Sequence, residues 1–183
     1  VMLLEVMGRD AGHIALAAGI SGGADVILMP EIPYSMDGIA RKIESVRARG
    51  RNFALVVVAE AVKGENGDIV SVTDSNGRKR LGGIGYHLGN RISDITGAET
   101  RVTVLGHIQR GGTPSPRDRL FASAFGVRAV DLIAEEKFDR MVAWTSRNVI
   151  DVPLEDAIRE NQQVDPVGTL ANTARGLGIY IGD

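Results

Sequence analysis

The stretch that most constrains the fold is FALVVVA at residues 53–59. Seven apolar residues, several of them β-branched and with no polar alternation, do not suit a strand with one face in water; they suit a central strand of a parallel sheet, covered on both faces. Shorter apolar runs occur at residues 1–6 and at 26–29, where Pro30 ends the run, and residues 101–105 have the β-branched, alternating character of a further strand. Helical spacing separates them. At residues 39–49, Ile39, Ile43 and Val46 recur on one side, while Arg41, Lys42, Glu44, Arg47 and Arg49 point elsewhere and Gly50 closes the segment. Strand–helix alternation of this kind builds parallel sheets through right-handed crossovers. The expected class is α/β, a three-layer αβα arrangement with a mainly parallel sheet.

The remaining segments follow the same grammar. GRDAGH turns the first strand into an alanine-rich helix, with Asp10 as the expected cap. Residues 62–80, with KGENGD and DSNGRKR, carry asparagine–glycine pairs that mark a hairpin-like excursion. Residues 81–96 read as a helix closed by Gly97, and its His87 needs no functional reading. Ser115 caps a further helix, with Pro116 in its first position and Asp118 at the third, running to about residue 136. Residues 141–144 and 149–152 read as short strands and 154–160 as a short helix, and the final segment is polar without assignable chemistry.

Lys plus Arg number 21 against 23 for Asp plus Glu, a net charge of -2, which gives no electrostatic case for nucleic acid or an anionic membrane. Any anion site must be local. The chain has no cysteine, which excludes disulfides, thiolate catalysis and cysteine metal sites and fits a reducing cytoplasm. His13, His87 and His107 are too dispersed for a zinc site. No apolar run approaches the ~20 residues that span a bilayer, so a soluble, cytoplasmic protein is expected. The opening VMLLEV reads as a buried strand, and the chain is therefore expected to be a fragment.

In open α/β sheets, ligands bind beyond the carboxyl ends of the strands. Arg9 lies at such an end, at a strand-to-helix junction where helix N–H donors and a fixed cation act together on an anion. Glu60 follows the 53–59 strand and is a candidate acceptor for sugar hydroxyls. After the 101–105 strand come Gly106, His107, Gln109, Arg110, Gly111 and Gly112: cations beside glycines that let backbone N–H groups approach a phosphate-bearing ligand. Each also has a plainer reading, Arg9 as a local ion pair and His107 and Arg110 as parts of a solvated polar turn.

LGHIQRGGTPSPRDR, residues 105–119, is similar to the signature of 6-phosphofructokinases. MGRDAGHIALAAG, residues 7–19, looks like that family's second substrate motif, and FALVVVAE falls between them in the required order. The resemblance covers nearly the whole chain but corresponds to the carboxyl half or so of such an enzyme. It implies a fructose 6-phosphate-binding lobe at residues 1–108, a segment at 109–158 returning to the phosphoryl-donor lobe, and a carboxyl-terminal tail at 159–183. Met7, Gly8 and Arg9 would contact fructose 6-phosphate, with Arg9 also stabilising the transition state. Glu60 would hold sugar hydroxyls, and His107 and Arg110 would grip the sugar phosphate.

The matching family arginine at Arg101 crosses a subunit interface to the next active site, which implies a homodimer or homotetramer. A strand advances ~3.3 Å per residue, so up to ~16 Å separates Arg101 from Gly106, too far to share one phosphate with His107 inside one chain. Asp25, Arg49 and Arg51 match an effector site of the compact bacterial enzymes. Residues 62–80 are longer than in those enzymes and look more like the branch whose donor is ATP or pyrophosphate, and Ala61 stands where the family often has glycine. The chain carries no Walker-type loop and no paired-aspartate motif. The donor site, the catalytic base and the ligands of the expected Mg2+ are therefore expected upstream of Val1, and the isolated chain is expected to be inactive. The alternative is a non-catalytic sugar-phosphate or nucleotide sensor module; a dinucleotide oxidoreductase is disfavoured because no G-x-G-x-x-G follows a strand.

Overall fold

A computed structural model describes residues 1–68, 70–73, 79–159 and 161–182, with the backbone alone over 71–73 and 79–81. They form two compact units, Val1–Arg110 with Gln162–Asp183, and Gly111–Asn161. In chain order the larger unit contains β1 (Met2–Val6), α1 (His13–Ser21), β2 (Val26–Leu28), α2 (Met36–Ala48), β3 (Leu55–Ala59), β4 (Ser71–Thr73), β5 (Lys79–Leu81), α3 (Ile84–Thr96) and β6 (Arg101–Val104). The smaller unit contains α4 (Pro116–Ala134), β7 (Arg140–Thr145), β8 (Asn148–Pro153) and α5 (Leu154–Arg159), and α6 (Thr169–Gly176) belongs again to the larger one.

The sheet of the larger unit runs β2-β3-β1-β6, all parallel, so the apolar run at 53–59 supplies an interior strand. Val56, Val57, Val58 and Ala59 are buried, whereas Phe53 lies outside the strand and exposed, 4.6 Å from the Arg51 guanidinium over its ring. The register aligns Leu4, Val57 and Ile27 on one face and leaves Leu3 and Glu5 on the other. Gly19 of α1 is pressed against Ile27, and Gly85 of α3 against Leu3 and Glu5, so α1 and α3 cover opposite faces. α6 packs with α1, and α2 with α3, which completes three layers.

Local chemistry explains where the boundaries depart from sequence spacing. α2 starts at Met36 because the Ser35 hydroxyl accepts from the Gly38 N–H at 3.1 Å and Asp37 sits at the positive helix end. α3 starts only at Ile84, since Gly82 and Gly83 adopt φ of 139° and 88° and break any helix reaching back to residue 81. Asp10 is not the cap of α1. A turn closed by the Ala11 N–H on the Gly8 carbonyl, 3.0 Å, pushes the helix start to His13, and the Glu31 carboxylate takes the Gly12 N–H instead.

β4 and β5 pair antiparallel, as the turn signals suggest, while the Asn76–Gly77 pair lies outside the described residues. The polar tail contributes more than its composition indicates. Tyr180 bridges in parallel to Val26 on the outer side of β2, and Val164, Ala171, Ala174, Ile179 and Ile181 join the core. In the smaller unit, Ser115 and Asp118 form the expected reciprocal cap, with bonds of 3.2 and 2.8 Å. β7 and β8 make a separate antiparallel hairpin, because the two-residue connection Ser146–Arg147, with φ of 47° and 73°, permits no crossover.

Candidate functional site

Three strands deliver their carboxyl ends to one edge. Val6 is level with Ala59, the Glu60 N–H donates to the Val6 carbonyl at 3.0 Å, and the Leu105 N–H donates to the Glu5 carbonyl at 3.1 Å. Met7, Gly8, Arg9, Ile14, Glu60, His107, Gln109 and Arg110 therefore line one cavity of about 610 Å³. Every substrate residue expected from the sequence is there except Arg101.

The first part is a turn built by a carboxylate. Glu60 Oε1 accepts from the N–H groups of Gly8 and Arg9, at 3.2 and 2.9 Å. Arg9 adopts φ of 51°, a left-handed conformation that costs an L-residue roughly 1–2 kcal/mol and that the two charge-assisted bonds help offset. A side chain at Gly8 would place its Cβ 2.3 Å from the Ala11 carbonyl oxygen, so the turn requires glycine there. The Arg9 side chain is 87% exposed and meets the Asp10 carboxylate at 3.6 Å. Such an exposed pair is a weak competitor for a ligand's phosphate.

The second part is a 3₁₀ turn over Gly106–Arg110. Side chains three apart on such a turn eclipse one another, so His107 and Arg110 stand side by side. Gln109 has a different task that the sequence reading missed: its Oε1 accepts from the Met7 N–H at 2.7 Å and ties the turn to the end of β1. The available signal was the H-x-x-R spacing, which leaves Gln109 off the His107–Arg110 side. Between these parts, Glu60 Oε2 takes no hydrogen bond among the described residues and points to a second acceptor role.

Arg101 lies at the opposite end of β6, where its N–H donates to the Val1 carbonyl and its guanidinium pairs with Glu99 at 2.7 Å. With Arg47 and Phe53 it lines a different cavity of about 240 Å³. Asp25, Arg49 and Arg51, with Lys42, line a third of about 410 Å³. There Arg51 forks onto both oxygens of the buried Asp25, at 2.7 and 3.0 Å, and Asp25 also accepts from the Leu55 N–H at 2.9 Å. Among the described residues no group of three or more His, Asp or Glu side chains is placed to hold a metal ion, and no helix is long and apolar enough to cross a membrane.

Fold and site together define an open parallel α/β protein with a cation-rich, phosphate-compatible edge beyond its strand ends. The family model for phosphofructokinase matches residues 1–133, and the chain belongs to that family. It is 62% identical to ATP-dependent 6-phosphofructokinase 1 of Synechocystis sp. (strain ATCC 27184 / PCC 6803 / Kazusa) and 61% identical to ATP-dependent 6-phosphofructokinase 1 of Nostoc sp. (strain PCC 7120 / SAG 25.82 / UTEX 2576). Each match covers 100% of this chain and 51% of the relative, so the chain spans about half the length of the curated relatives it matches. The crystal structure of Pichia pastoris phosphofructokinase in the T-state superposes with a TM-score of 0.68 at 31% identity, over 96% of this chain and 18% of that one.

Proposed function

We propose that this chain is the carboxyl-terminal, acceptor-side part of an ATP-dependent 6-phosphofructokinase, which phosphorylates fructose 6-phosphate to fructose 1,6-bisphosphate in glycolysis. The observation that carries this reading is the convergence of Arg9, Glu60, His107 and Arg110 on one cavity at the carboxyl edge of the sheet. Phosphoryl transfer is catalysed mostly by positioning and by cations that meet the charge of the transferring group. His107 and Arg110 hold the sugar phosphate, Glu60 accepts from sugar hydroxyls through Oε2, Met7 and Gly8 shape the sugar pocket, and Arg9 meets the transferring phosphoryl group. The names of the Synechocystis and Nostoc relatives favour ATP over pyrophosphate as donor.

On this reading residues 1–108 form the fructose 6-phosphate lobe, 109–158 contribute to the donor lobe, and the tail from 159 belongs with the first. The donor loop, the catalytic base and the groups that hold Mg2+ on the donor phosphates come from outside this chain. The described residues do not fit a Mg2+ site. Arg101 serves the site of a second subunit in a homodimer or homotetramer working in the cytoplasm. An anionic effector at Asp25, Arg49 and Arg51 would have to draw Arg51 away from a buried, doubly bonded carboxylate.

The test joins the amino-terminal half of the Nostoc relative to this chain. The joined protein should phosphorylate fructose 6-phosphate with ATP, and the chain alone should not. In it, Arg9→Ala should mainly lower kcat, by roughly 10²–10³-fold as for loss of one charge-stabilising group, whereas His107→Ala and Arg110→Ala should mainly raise KM for fructose 6-phosphate. A folded joined protein that binds fructose 6-phosphate but turns none over would favour the sensor module instead.

A further inference from the structure

Glu31, just beyond the end of β2, sits where three parts of the larger unit meet. Its Oε1 and Oε2 lie 3.0 and 3.1 Å from the Gly12 N–H, and Oε1 also accepts from the Val164 N–H at 2.8 Å. Gly12 is the N-cap of α1, whose start has no side-chain cap of its own and no acidic residue in its first turn. The unsatisfied N–H groups and positive end of that helix thus draw on a carboxylate from another loop. The approach is tight: a Cβ on Gly12 would lie 2.2 Å from the Met29 Cβ and 2.9 Å from Glu31 Oε2.

The Arg9 turn is consequently anchored by carboxylates on both sides, Glu60 at Gly8 and Arg9, and Glu31 at Gly12. Arg9, between them, holds a left-handed φ that persists only while its surroundings fix it. The carboxyl-terminal segment docks at the same place, for the His13 imidazole Nε2 lies 3.1 Å from the Gln162 carbonyl oxygen, two residues before Val164.

We infer that Glu31 is a positioning residue that sets the Arg9 turn and couples it to the carboxyl-terminal segment through one shared carboxylate. The catalytic half of this inference rests on the role proposed above for Arg9; the coupling stands on the hydrogen bonds alone. A carboxylate that served only to cap α1 would have no need of Val164, and a tie that served only the tail would have no need of Gly12.

Two measurements test it, and they fail separately. In the 183-residue chain, amide hydrogen exchange of Glu31→Ala should accelerate together at Arg9, Gly12 and Val164 while Val57 in the central strand stays protected. Acceleration at Gly12 alone, or loss of protection at Val57 as well, would overturn the coupling. Glu31→Gln, which keeps an acceptor oxygen, should accelerate Arg9 and Val164 less than Glu31→Ala; it also serves as the measurement if the alanine variant does not fold. In the protein joined to the Nostoc half, Glu31→Ala should lower kcat with little change in KM, by up to ~100-fold, the loss that a misplacement of about 1 Å causes. Glu31→Gln should recover most of that loss. In an Arg9→Ala background the same change should cost little more, because the group it positions is gone. An equal loss in both backgrounds would reduce Glu31 to a structural support. An Arg9→Ala variant with normal kcat would defeat the acceptor-site reading while leaving the exchange result to decide the coupling.

Discussion

The two units spend their carboxylates differently. In the larger one, Glu5, Asp25 and Glu31 lie at or near the ends of strands and accept from backbone N–H groups: Glu5 from Gly83 and Gly85, Asp25 from Leu55, Glu31 from Gly12 and Val164. Glu5 is 2% exposed, and the buried Gly85 N–H it accepts from is a donor that water cannot reach. In the smaller unit, Asp151 is gripped by Arg128 and Arg140, and Glu135 by Arg128 and Lys137. These ties are made beside solvent, and Leu132 is that unit's one buried apolar side chain among the described residues. Leu120, Val127, Val130 and Ile133 of α4 are exposed, so the helix gains little from burial and depends on its capping box, on the ion pairs and on the packing of Phe121 against Trp144, 4.8 Å apart. Both units contain ion pairs and caps, Arg51 with Asp25 in the larger and Asp118 on the Ser115 N–H in the smaller, but the larger unit also uses buried or partly buried carboxylates to tie backbone segments that are distant in sequence.

The largest expected effect follows from that contrast. Leu88 of α3 is 0% exposed, and Leu88→Ala should destabilise the larger unit by about 2–5 kcal/mol through lost burial and a residual cavity. Val130 of α4 is 64% exposed, and Val130→Ala should stay within about 0.5 kcal/mol. Urea unfolding of the two variants checks the pair, and equal losses would break the comparison.

A smaller effect concerns acid. The Arg128 hydrogen bond, and after it that of Arg140, hold the Asp151 carboxyl below its usual range against an opposing desolvation, and the Lys137 and Arg128 hydrogen bonds do the same for Glu135. A carboxylate depressed in the fold contributes stability above its unfolded pKa of about 4 and loses it as pH falls from there through the folded value. Acid should therefore loosen the smaller unit, and salt should weaken the same contribution by screening. Trp144, the single tryptophan of the chain, stands in β7 and reports on this unit alone. Its fluorescence should change on acidification in the native chain and much less in Asp151→Asn, whose amide cannot titrate. Identical acid profiles for the two would remove Asp151 from the account.

The larger unit was the more legible of the two in sequence. The run at 53–59 announced an interior strand because burial on both faces removes alternation, and MGR and H-x-x-R could be assigned to one sheet edge because parallel strands deliver their ends together. What escaped was information carried by distant partners. Asp10 is the natural local cap for α1, but the turn at Gly8–Ala11 moves the helix start out of its reach, and Glu31, nineteen residues beyond Gly12, takes over. Gln109 reads as one more polar residue of a loop until its bond to Met7 is known. α6 is short, and its buried positions, Ala171 and Ala174, are too small to stand out from a polar segment. In the smaller unit, the hairpin could be read as strands but not as a separate sheet, since its direction depends on a two-residue turn with no glycine to mark it.

Alkali should sharpen the comparison from the other side. The Tyr34 hydroxyl, which donates to the Lys63 carbonyl at 3.0 Å in the larger unit, has its pKa pushed up to about 12, first by burial and then by the charges of Glu65 and Tyr180. A raised pKa means that the fold holds the protonated phenol more tightly than the unfolded chain does. The contribution is complete below the unfolded value of about 10 and is lost as pH rises from there through about 12. The effect should be the smallest of the three, because one half-buried hydroxyl is involved and part of its environment is water. Two variants locate it. Tyr34→Phe should flatten the stability of the larger unit between pH 10 and 12, and Glu65→Gln, by removing a neighbouring carboxylate charge while leaving the burial, should bring the Tyr34 titration closer to that of a free tyrosine without erasing the shift. Far-ultraviolet circular dichroism would follow the sheet and Trp144 fluorescence the hairpin over the same range. A native chain and a Tyr34→Phe chain that lose sheet signal at the same pH would show that burial of this phenol does not govern the alkaline limit.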